Sequence, residues 1–565
     1  MALSREGYEA LEAIVGPENI SEDPVILDGY AFQMMAGGLE ERFGGRFLTR
    51  PEAVLLPGSA EEVQRVVKIC NKYKIHFKPH GTGWGFWGGP TTKGVIQLDL
   101  RRMNRILEIN EKNMYAVVEP YVSSMHIQAE AQKKGLNPHI IPCCSGSVLA
   151  TATSAWGYGS SGLYTGYSGR NVLGVEWVLP TGEILRLGSI GSGSGWFCGD
   201  GPGPSLRGVM RGFKGAAGGL GVFTKVAVKL YAWPGPPVMP IDGKAPHYTT
   251  PLPDNFKAYV VTFPDFKRFG DFWIKIGEAE IGYTTHKLLS TLRDAALYML
   301  SKLPGKTKDD IEEVMKMPET HALFKETKHS CRLILVGHSP RHVEYQEKVL
   351  KEILAETEGH IVSFFEEPRM RNALLISELK HSSANEVFDF SGEWTTSFGF
   401  LETADLSGER IKVGEVLKRK TLDEAKGLLM EPAEDMASSL YEGGGIGAEH
   451  EEIAYYDPAD HQSAKAGAEY GLAALDLVAS KGWPIGLDYS NVIMVGEAIQ
   501  PEERKYLTHP RVANYFHWQA KIKHAMDPNS ASDPGTYFTI EDDEMNRISS
   551  QHIDEKKKDS KNKKK

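Results

Sequence analysis

The chain has 565 residues, more than one hydrophobic core normally holds, so two or three domains are expected. With 41% hydrophobic and 24% charged residues it has the make-up of a soluble globular protein, and its net charge of -10 argues against nucleic acid as a partner. No apolar run reaches spanning length and the opening "MALSREGYEALEAIVG" lacks a signal-peptide core, so a cytoplasmic protein with no transmembrane segment is expected.

In chain order, Ser4 to Val15 carries a helical apolar pattern (Tyr8, Leu11, Ala13, Ile14, Val15). "AVLL" then reads as a short strand. Ser59 follows as a helix N-cap, with Glu62 completing a capping box and Val63, Val66, Val67 and Cys70 on one helical face. Further strands are expected at "IHFKP", Val95–Leu100, Tyr115–Val118, Gly174–Val178 and Val222–Leu230. "YAWPGPPVMP", from Tyr231 to Pro240, breaks all periodicity and marks a domain boundary. Beyond it "AYVVTFPDFKRFGDFWIKIGEAEI" reads strand then helix, "CRLILVGHS" a buried strand, and "RHVEYQEKVLKEILAETEG" an amphipathic helix. The end, "IDEKKKDSKNKKK", is a solvated polar tail. Alternating strands and helices place the chain in the α+β class, with α/β as the other option at this level.

Five cysteines occur, Cys70, Cys143, Cys144, Cys198 and Cys331, with no CxxC, so neither an iron–sulfur cluster nor a structural zinc is expected, and no metal site at all. Adjacent Cys143 and Cys144 read as a redox pair or as two buried thiols; the strain of a vicinal disulfide favours the thiols.

The most unusual stretch is "GTGWGFWGG", Gly81 to Gly89. Glycine lets backbone N–H groups approach an anion closely. Gly83, Gly85 and Gly88 fit GxGxxG, but Pro90 and a β-type run follow where a dinucleotide-binding helix would have to open, and no Gly-Lys-Ser/Thr makes it a P-loop. Two more loops of small residues stand beside strands, Ser145 to Gly162 and "GAAGG" before "VFTKVAVKL". Loops of this kind suit one long ligand with a pyrophosphate and a flat ring.

From about Phe47 to Pro234 the order of motifs resembles the FAD-binding domain of the vanillyl-alcohol oxidase / p-cresol methylhydroxylase (PCMH-type) superfamily of FAD-linked oxidases. The motifs are "RPEAVLLPGSAEEV", the glycine loop, "LDLRRMNRIL", "VEP", "GVEWVLPTGE" and "GLGVFTKVAVKL". "KIKHAMDPNSASDPGTY" resembles the segment with which these proteins return to the flavin domain. The resemblance implies an N-terminal helical segment (1–46) and a PCMH-type FAD-binding domain of two small α+β subdomains (47–235). An α+β substrate or cap domain (236–505), a C-terminal segment packing on the FAD domain (506–540) and a Lys-rich tail (541–565) would follow. It implies FAD, with the pyrophosphate on His80, Gly81, Thr82, Gly83, Trp84 and Gly85. Pro142, Ser147, Thr151, Ser154, Gly157 and Tyr158 would flank the isoalloxazine and diphosphate, and Gly221 and Val222 would meet the adenine end. Some members bond the flavin to a loop histidine; Trp84 stands at that place here, so non-covalent FAD is expected. Trp84, Phe86 and Trp87 shield the cofactor or pack between sheets.

On the substrate side, hydride transfer to a flavin needs a base for the hydroxyl proton and a group to orient the substrate. His450, in "EGGGIGAEHEEIAYYDP", is the candidate base, with Tyr158 a further candidate and Arg170 the candidate carboxylate anchor beside Arg207, Arg211 and Arg371. His139, Tyr164 and His517 are further candidates, and Tyr455–Tyr456 a candidate phenolate pair. The histidine-rich metal motif of glycolate- and D-lactate-dehydrogenase-like relatives is reduced here to His450. The resemblance implies oxidation of a small 2-hydroxy acid such as D-lactate or glycolate. Electrons would pass to a separate acceptor, an electron-transfer flavoprotein, an iron–sulfur subunit or a quinone. The alternatives are oxidation of a phenolic or aromatic alcohol, a flavin-assisted ether exchange like that of alkyl-glycerone-phosphate synthase, and a flavin-carrying subunit of a larger electron-transfer complex. A homo-oligomer is compatible with all of them.

Overall fold

The computed structural model describes residues 3–31, 49–83, 88–140, 146–153, 159–166, 170–188, 200, 204–211, 215–244, 247–287, 316–379, 394–399, 402–403, 416, 419–430, 436–442, 445–457, 459–467, 469–470, 473 and 515–536, with backbone alone for 244, 247, 324, 394–399, 402–403, 430, 436–442, 445–446, 448–453 and 515–516. Trp84, Gly85, Phe86, Trp87, Pro142, Cys143, Cys144, Ser154, Gly157, Tyr158 and Cys198 lie outside the described residues.

Helix α1 (Arg5–Val15) starts where Ser4 Oγ accepts the Gly7 N–H, and buries Tyr8, Leu11 and Val15. Helix α2 (Pro24–Ala31) follows. The first sheet has strands β1 (Ile20–Ser21), β2 (Val54–Leu55), β3 (His76–His80) and β4 (Val95–Asp99) in the order β1-β2-β4-β3. Strands β2 and β3 run parallel to β4, with His80 opposite Asp99. Helix α3 (Ala60–Tyr73) is capped by Ser59 as its sequence predicts. The Glu62 carboxylate closes on the Gly58 N–H, one residue before the expected capping-box partner. Val63, Val66, Val67 and Cys70 pack with Phe77, Ile96 and Leu98 of the sheet.

The second sheet joins β5 (Ile106–Asn110), β6 (Tyr115–Val118), β7 (Val172–Val178), β8 (Ile184–Leu187) and β9 (Val222–Lys229) in the order β5-β6-β9-β7-β8, all antiparallel. Helices α4 (Ser124–Gln132) and α5 (Val148–Thr153) contribute Ile127, Ala131, Val148 and Ala152 to its core. A short helix, α6 (Gly162–Thr165), precedes β7.

The third sheet is antiparallel. Its strands are β10 (Phe256–Thr262), β11 (Thr284–Lys287), β12 (Ser330–Val336), β13 (His360–Ile361), β14 (Trp394–Gly399), β15 (Glu402–Thr403), β16 (Leu429–Met430), β17 (Met436–Glu442) and β18 (Gly445–Tyr456). The main path is β13-β10-β12-β11-β17-β18-β14, with β15 and β16 also on β18. Helices α7 (Phe266–Glu278) and α8 (Pro340–Glu356) bury Phe269, Phe272, Trp273, Val343 and Leu350 against Tyr259, Val261, Leu333 and Leu335. Helix α9 (Pro368–Leu379) sets Met370, Leu374 and Leu375 against Ala258, Val260 and Ile334, on positions that alternate with those.

Helix α10 (Tyr515–Met526) and the turn after it return to the first sheet, where Phe77 bridges to Ser532. Among the described residues no helix is long and apolar enough to cross a membrane.

Candidate functional site: an FAD cleft and a polar cluster on the third sheet

Three stretches from different parts of the chain line one cleft: Pro79–Gly83, Gly146–Thr153 and Ala216–Gly221, with Phe223 at one wall. Strand β3 delivers the first. The Ser124 N–H bonds the Gly146 carbonyl, and Ser147 Oγ accepts the Ala150 N–H to start α5 in the second. The third turns on Gly215, Gly218 and Gly221, all at positive φ. At Gly221 a Cβ would stand 2.3 Å from the Val178 carbonyl oxygen, so only glycine fits. The Gly221 N–H donates to Ser532 Oγ at 2.8 Å, and Val222 starts β9 opposite Val178.

Of the residues expected to meet a cofactor, His80, Gly81, Thr82, Gly83, Ser147, Thr151 and Gly221 all line this cleft. A Cβ on Gly81 would touch only Ser147 Oγ, at 3.5 Å, and so would project into the opening between the two loops. Gly83 and Gly88 serve a second purpose. Cβ atoms there would lie 3.1 and 3.3 Å from the His80 ring, which nests inside its own loop with Nδ1 3.2 Å from the Gly88 carbonyl oxygen. Burial pushes the His80 imidazole below the ordinary histidine value, so it is neutral near pH 7. None of the other side chains that line the cleft among the described residues carries a charge. An anion here meets backbone N–H groups and small hydroxyls rather than lysine or arginine.

A comparison with protein families matches residues 51–188 to "FAD binding domain". Over this segment the chain is similar to FAD binding domains. FAD is therefore the cofactor of the chain, and the cleft fits it: open backbone at Gly81, small residues on three sides and neutral walls. Glycolate oxidase subunit GlcD of Bacillus subtilis is 29% identical over 235 residues, 41% of this chain and 46% of that protein. A probable mitochondrial D-lactate dehydrogenase of Danio rerio is 31% identical over 188 residues, 33% of this chain and 36% of that protein. The chain thus spans about half the length, or less, of these curated relatives. The solved structure of p-cresol methylhydroxylase with substrate bound shares the fold, with TM-score 0.68, 20% identity, and 94% of this chain and 97% of that one covered.

The expected substrate-side residues are dispersed. Arg170 lines a different cavity of about 680 Å³, together with Tyr164, Lys229, Tyr231, His338 and His342. His139 is buried against Ser161 and Thr165. Arg207 bonds the Val172 carbonyl, Arg211 directly follows a short helix at Arg207–Met210, Arg371 lies on α9 and His517 on α10. Tyr455 and Tyr456 are fully buried, and Tyr456 packs with Leu429, Ala464 and Tyr470. The backbone of His450 lies in β18 opposite Ala437, which pairs with Lys287.

One cluster was not anticipated from the sequence. His286 of β11, Arg332 of β12 and Glu378 of α9 are fully buried together. His286 Nδ1 is 3.6 Å from Glu378 Oε2, and Arg332 Nη1 is 3.1 Å from Glu378 Oε1. Arg332 and His286 are direct cross-strand partners, in one row with Val260 and Ser438. His450 stands one position out of that row. Burial holds His286 below the ordinary histidine value, hence neutral. Burial alone would raise Glu378, but Arg332 and His286 outweigh it and keep the carboxylate below its usual range. The sequence did hold a signal for Arg332, a lone charge inside the apolar run "CRLILV". "TTHK" gave the opposite impression, since four polar residues in a row do not read as the fully buried strand they form.

Proposed function

We propose that the protein is an FAD-dependent oxidoreductase that oxidises a small 2-hydroxy acid of the glycolate or D-lactate type and passes the electrons to a separate acceptor protein. The observation that carries this reading is the glycine-lined FAD cleft in a chain whose matched segment is similar to a glycolate oxidase subunit and a D-lactate dehydrogenase. Bound FAD supplies a two-electron acceptor for the hydrogen leaving the alcohol carbon. The chain contributes backbone N–H groups of His80 to Gly83 for the pyrophosphate, and the Ser147–Thr151 segment, with Gly221 and Val222, for the rest of the cofactor. The FAD is held non-covalently. Oxidation of a phenolic alcohol is the second reading, favoured by the fold shared with p-cresol methylhydroxylase.

Dye-linked turnover tests the proposal. The purified chain, given D-lactate, glycolate or 4-hydroxybenzyl alcohol with a dye acceptor, should form the keto or aldehyde acid from the first two. Aldehyde from the phenol alone would establish the second reading instead. Acid precipitation should release the yellow colour, and colour retained in the pellet would overturn non-covalent binding.

A further inference from the structure

Three buried residues of the third sheet and α9, His286, Glu378 and Thr284, draw attention because five of their polar side-chain atoms lack a hydrogen-bond partner among the described residues. Neither ring nitrogen of His286, neither carboxylate oxygen of Glu378 and not Thr284 Oγ1 has a hydrogen-bond partner among the described residues, although Arg332 lies beside Glu378 as an ion pair; Arg371 Nε and Asn372 Oδ1 on α9 share this state but stand apart from the cluster in the chain. Leaving a buried polar group unsatisfied costs about 1–3 kcal/mol, and apolar replacements of a buried ionic cluster are often no less stable. A cluster kept at that cost is one that a polar ligand completes.

Its position supports a ligand at the cofactor. The Thr285 N–H donates to the Ser160 carbonyl at 2.8 Å, and Ser160 Oγ donates to the Glu378 carbonyl at 3.4 Å. Gln128 Nε2 donates to the neighbouring Leu379 carbonyl at 2.8 Å. Strand β11 and the end of α9 are therefore seated on the continuation of the chain segment that forms the Gly146–Thr153 wall of the FAD cleft.

We infer that His286 is the proton acceptor for the substrate hydroxyl, that Glu378 orients it, and that Arg332 is a positioning residue for Glu378. This rests on the alcohol-oxidising reading above. His286 Nδ1 faces Glu378, which leaves Nε2 to accept the proton. The 3.6 Å separation is within the looser reach that a base and its orienting carboxylate can show. In the step, the substrate O–H bond breaks and its proton goes to His286 Nε2. The C–O bond becomes C=O, and the carbon's hydrogen leaves with its electron pair to the two-electron acceptor. The imidazolium formed lies against an ionised carboxylate, so its charge is balanced where it arises. Among the described residues the ionisable groups facing His286 are Glu378 and Arg332.

Two measurements test this. The first uses the holoprotein without turnover: calorimetric titration with oxalate in buffers of different ionisation enthalpy. Wild type should take up a proton as the dianion binds beside His286, and binding without proton uptake would overturn the inference even if no variant folds. The second is anaerobic reduction by D-lactate or glycolate in His286→Gln and Glu378→Gln that retain the FAD spectrum. His286→Gln should slow reduction on the order of 10²- to 10⁴-fold and lose the acid limb of the rate profile, with a smaller loss for Glu378→Gln. Wild-type reduction with an unchanged rate in His286→Gln would sink the inference alone. No wild-type reduction by either acid would sink the hydroxy-acid reading.

Discussion

Lys78 and Asp533 lie 455 positions apart in the chain, yet Lys78 Nζ sits 2.7 Å from Asp533 Oδ2, with both side chains buried. Asp533 also accepts from the Thr91 N–H and, at 2.6 Å, from Thr91 Oγ1. Beside it, Lys523 Nζ donates to the Gly219 and Ser532 carbonyls and to Asp527. The C-terminal turn thereby ties the glycine loop's far end at Thr91 to the Gly215–Gly221 loop. Breaking a buried pair leaves an uncompensated charge, at a cost of about 3–5 kcal/mol. Lys78→Met should lower the free energy of denaturant unfolding by that much, and the double variant Lys78→Met/Asp533→Leu should recover part of it. A single variant as stable as wild type would show that the clasp holds nothing.

Gly81 tests the backbone cradle. Gly81→Val puts branched carbon into the opening towards Ser147, with no positive φ to confuse strain with blockage. We expect at least a tenfold weaker affinity for FAD, about 1.4 kcal/mol, when deflavinated protein is titrated by flavin fluorescence, with unfolding unchanged in its absence. Unchanged affinity would move the pyrophosphate elsewhere.

Tyr30 ties helix α2 to the same loop. Its hydroxyl donates to Asp99 Oδ2 at 2.5 Å, Arg101 bonds both groups, and its ring meets His80 edge-on at 5.1 Å. A hydrogen bond to a charged group contributes about 1.5–3 kcal/mol. Tyr30→Phe should lose stability in that range while keeping the ring contact, and hydrogen exchange should rise in β3 and β4. No loss in a thermal melt would mean that solvent replaces the phenol.

Stability should fall with acid in two steps. His286 has a depressed value in the fold, so the unfolded chain binds its proton first as pH drops below about 6.5. Glu378 is also depressed, so its contribution is complete above the ordinary carboxylate value of 4.5 and is lost as pH falls through the lower folded value. His80 acts in the same direction as His286. Unfolding free energy measured from pH 7 to 5 should decline less steeply in His286→Gln, by up to about 1.4 kcal/mol per pH unit. A slope equal to wild type would mean that His286 is protonated alike in both states.

Local signals account for most of what the sequence made legible. Ser4 and Ser59 cap the helices their spacing predicts, and apolar runs such as Tyr115–Val118 became strands with the expected bounds. Val95–Leu100 ends one residue early at Asp99, where the carboxylate turns to Tyr30 and Arg101, and the Gly174 strand begins earlier, at Val172. The glycine loop was readable as bare backbone lining an opening, as Gly81 to Gly83 do. Its other purpose, housing the His80 ring, depends on where the imidazole points, which no spacing reveals. The His286, Arg332 and Glu378 cluster was hidden for the same reason. It is assembled from three elements 46 positions apart or nearly so, and only sheet register and helix docking bring them together.

The most direct test of hydroxy-acid oxidation at a bound flavin is the visible spectrum of the purified yellow protein, recorded anaerobically before and after D-lactate or glycolate is added. The flavin band should bleach with one of these acids and return when an electron acceptor is supplied. A flavin band unchanged by both acids but bleached by 4-hydroxybenzyl alcohol would contradict it.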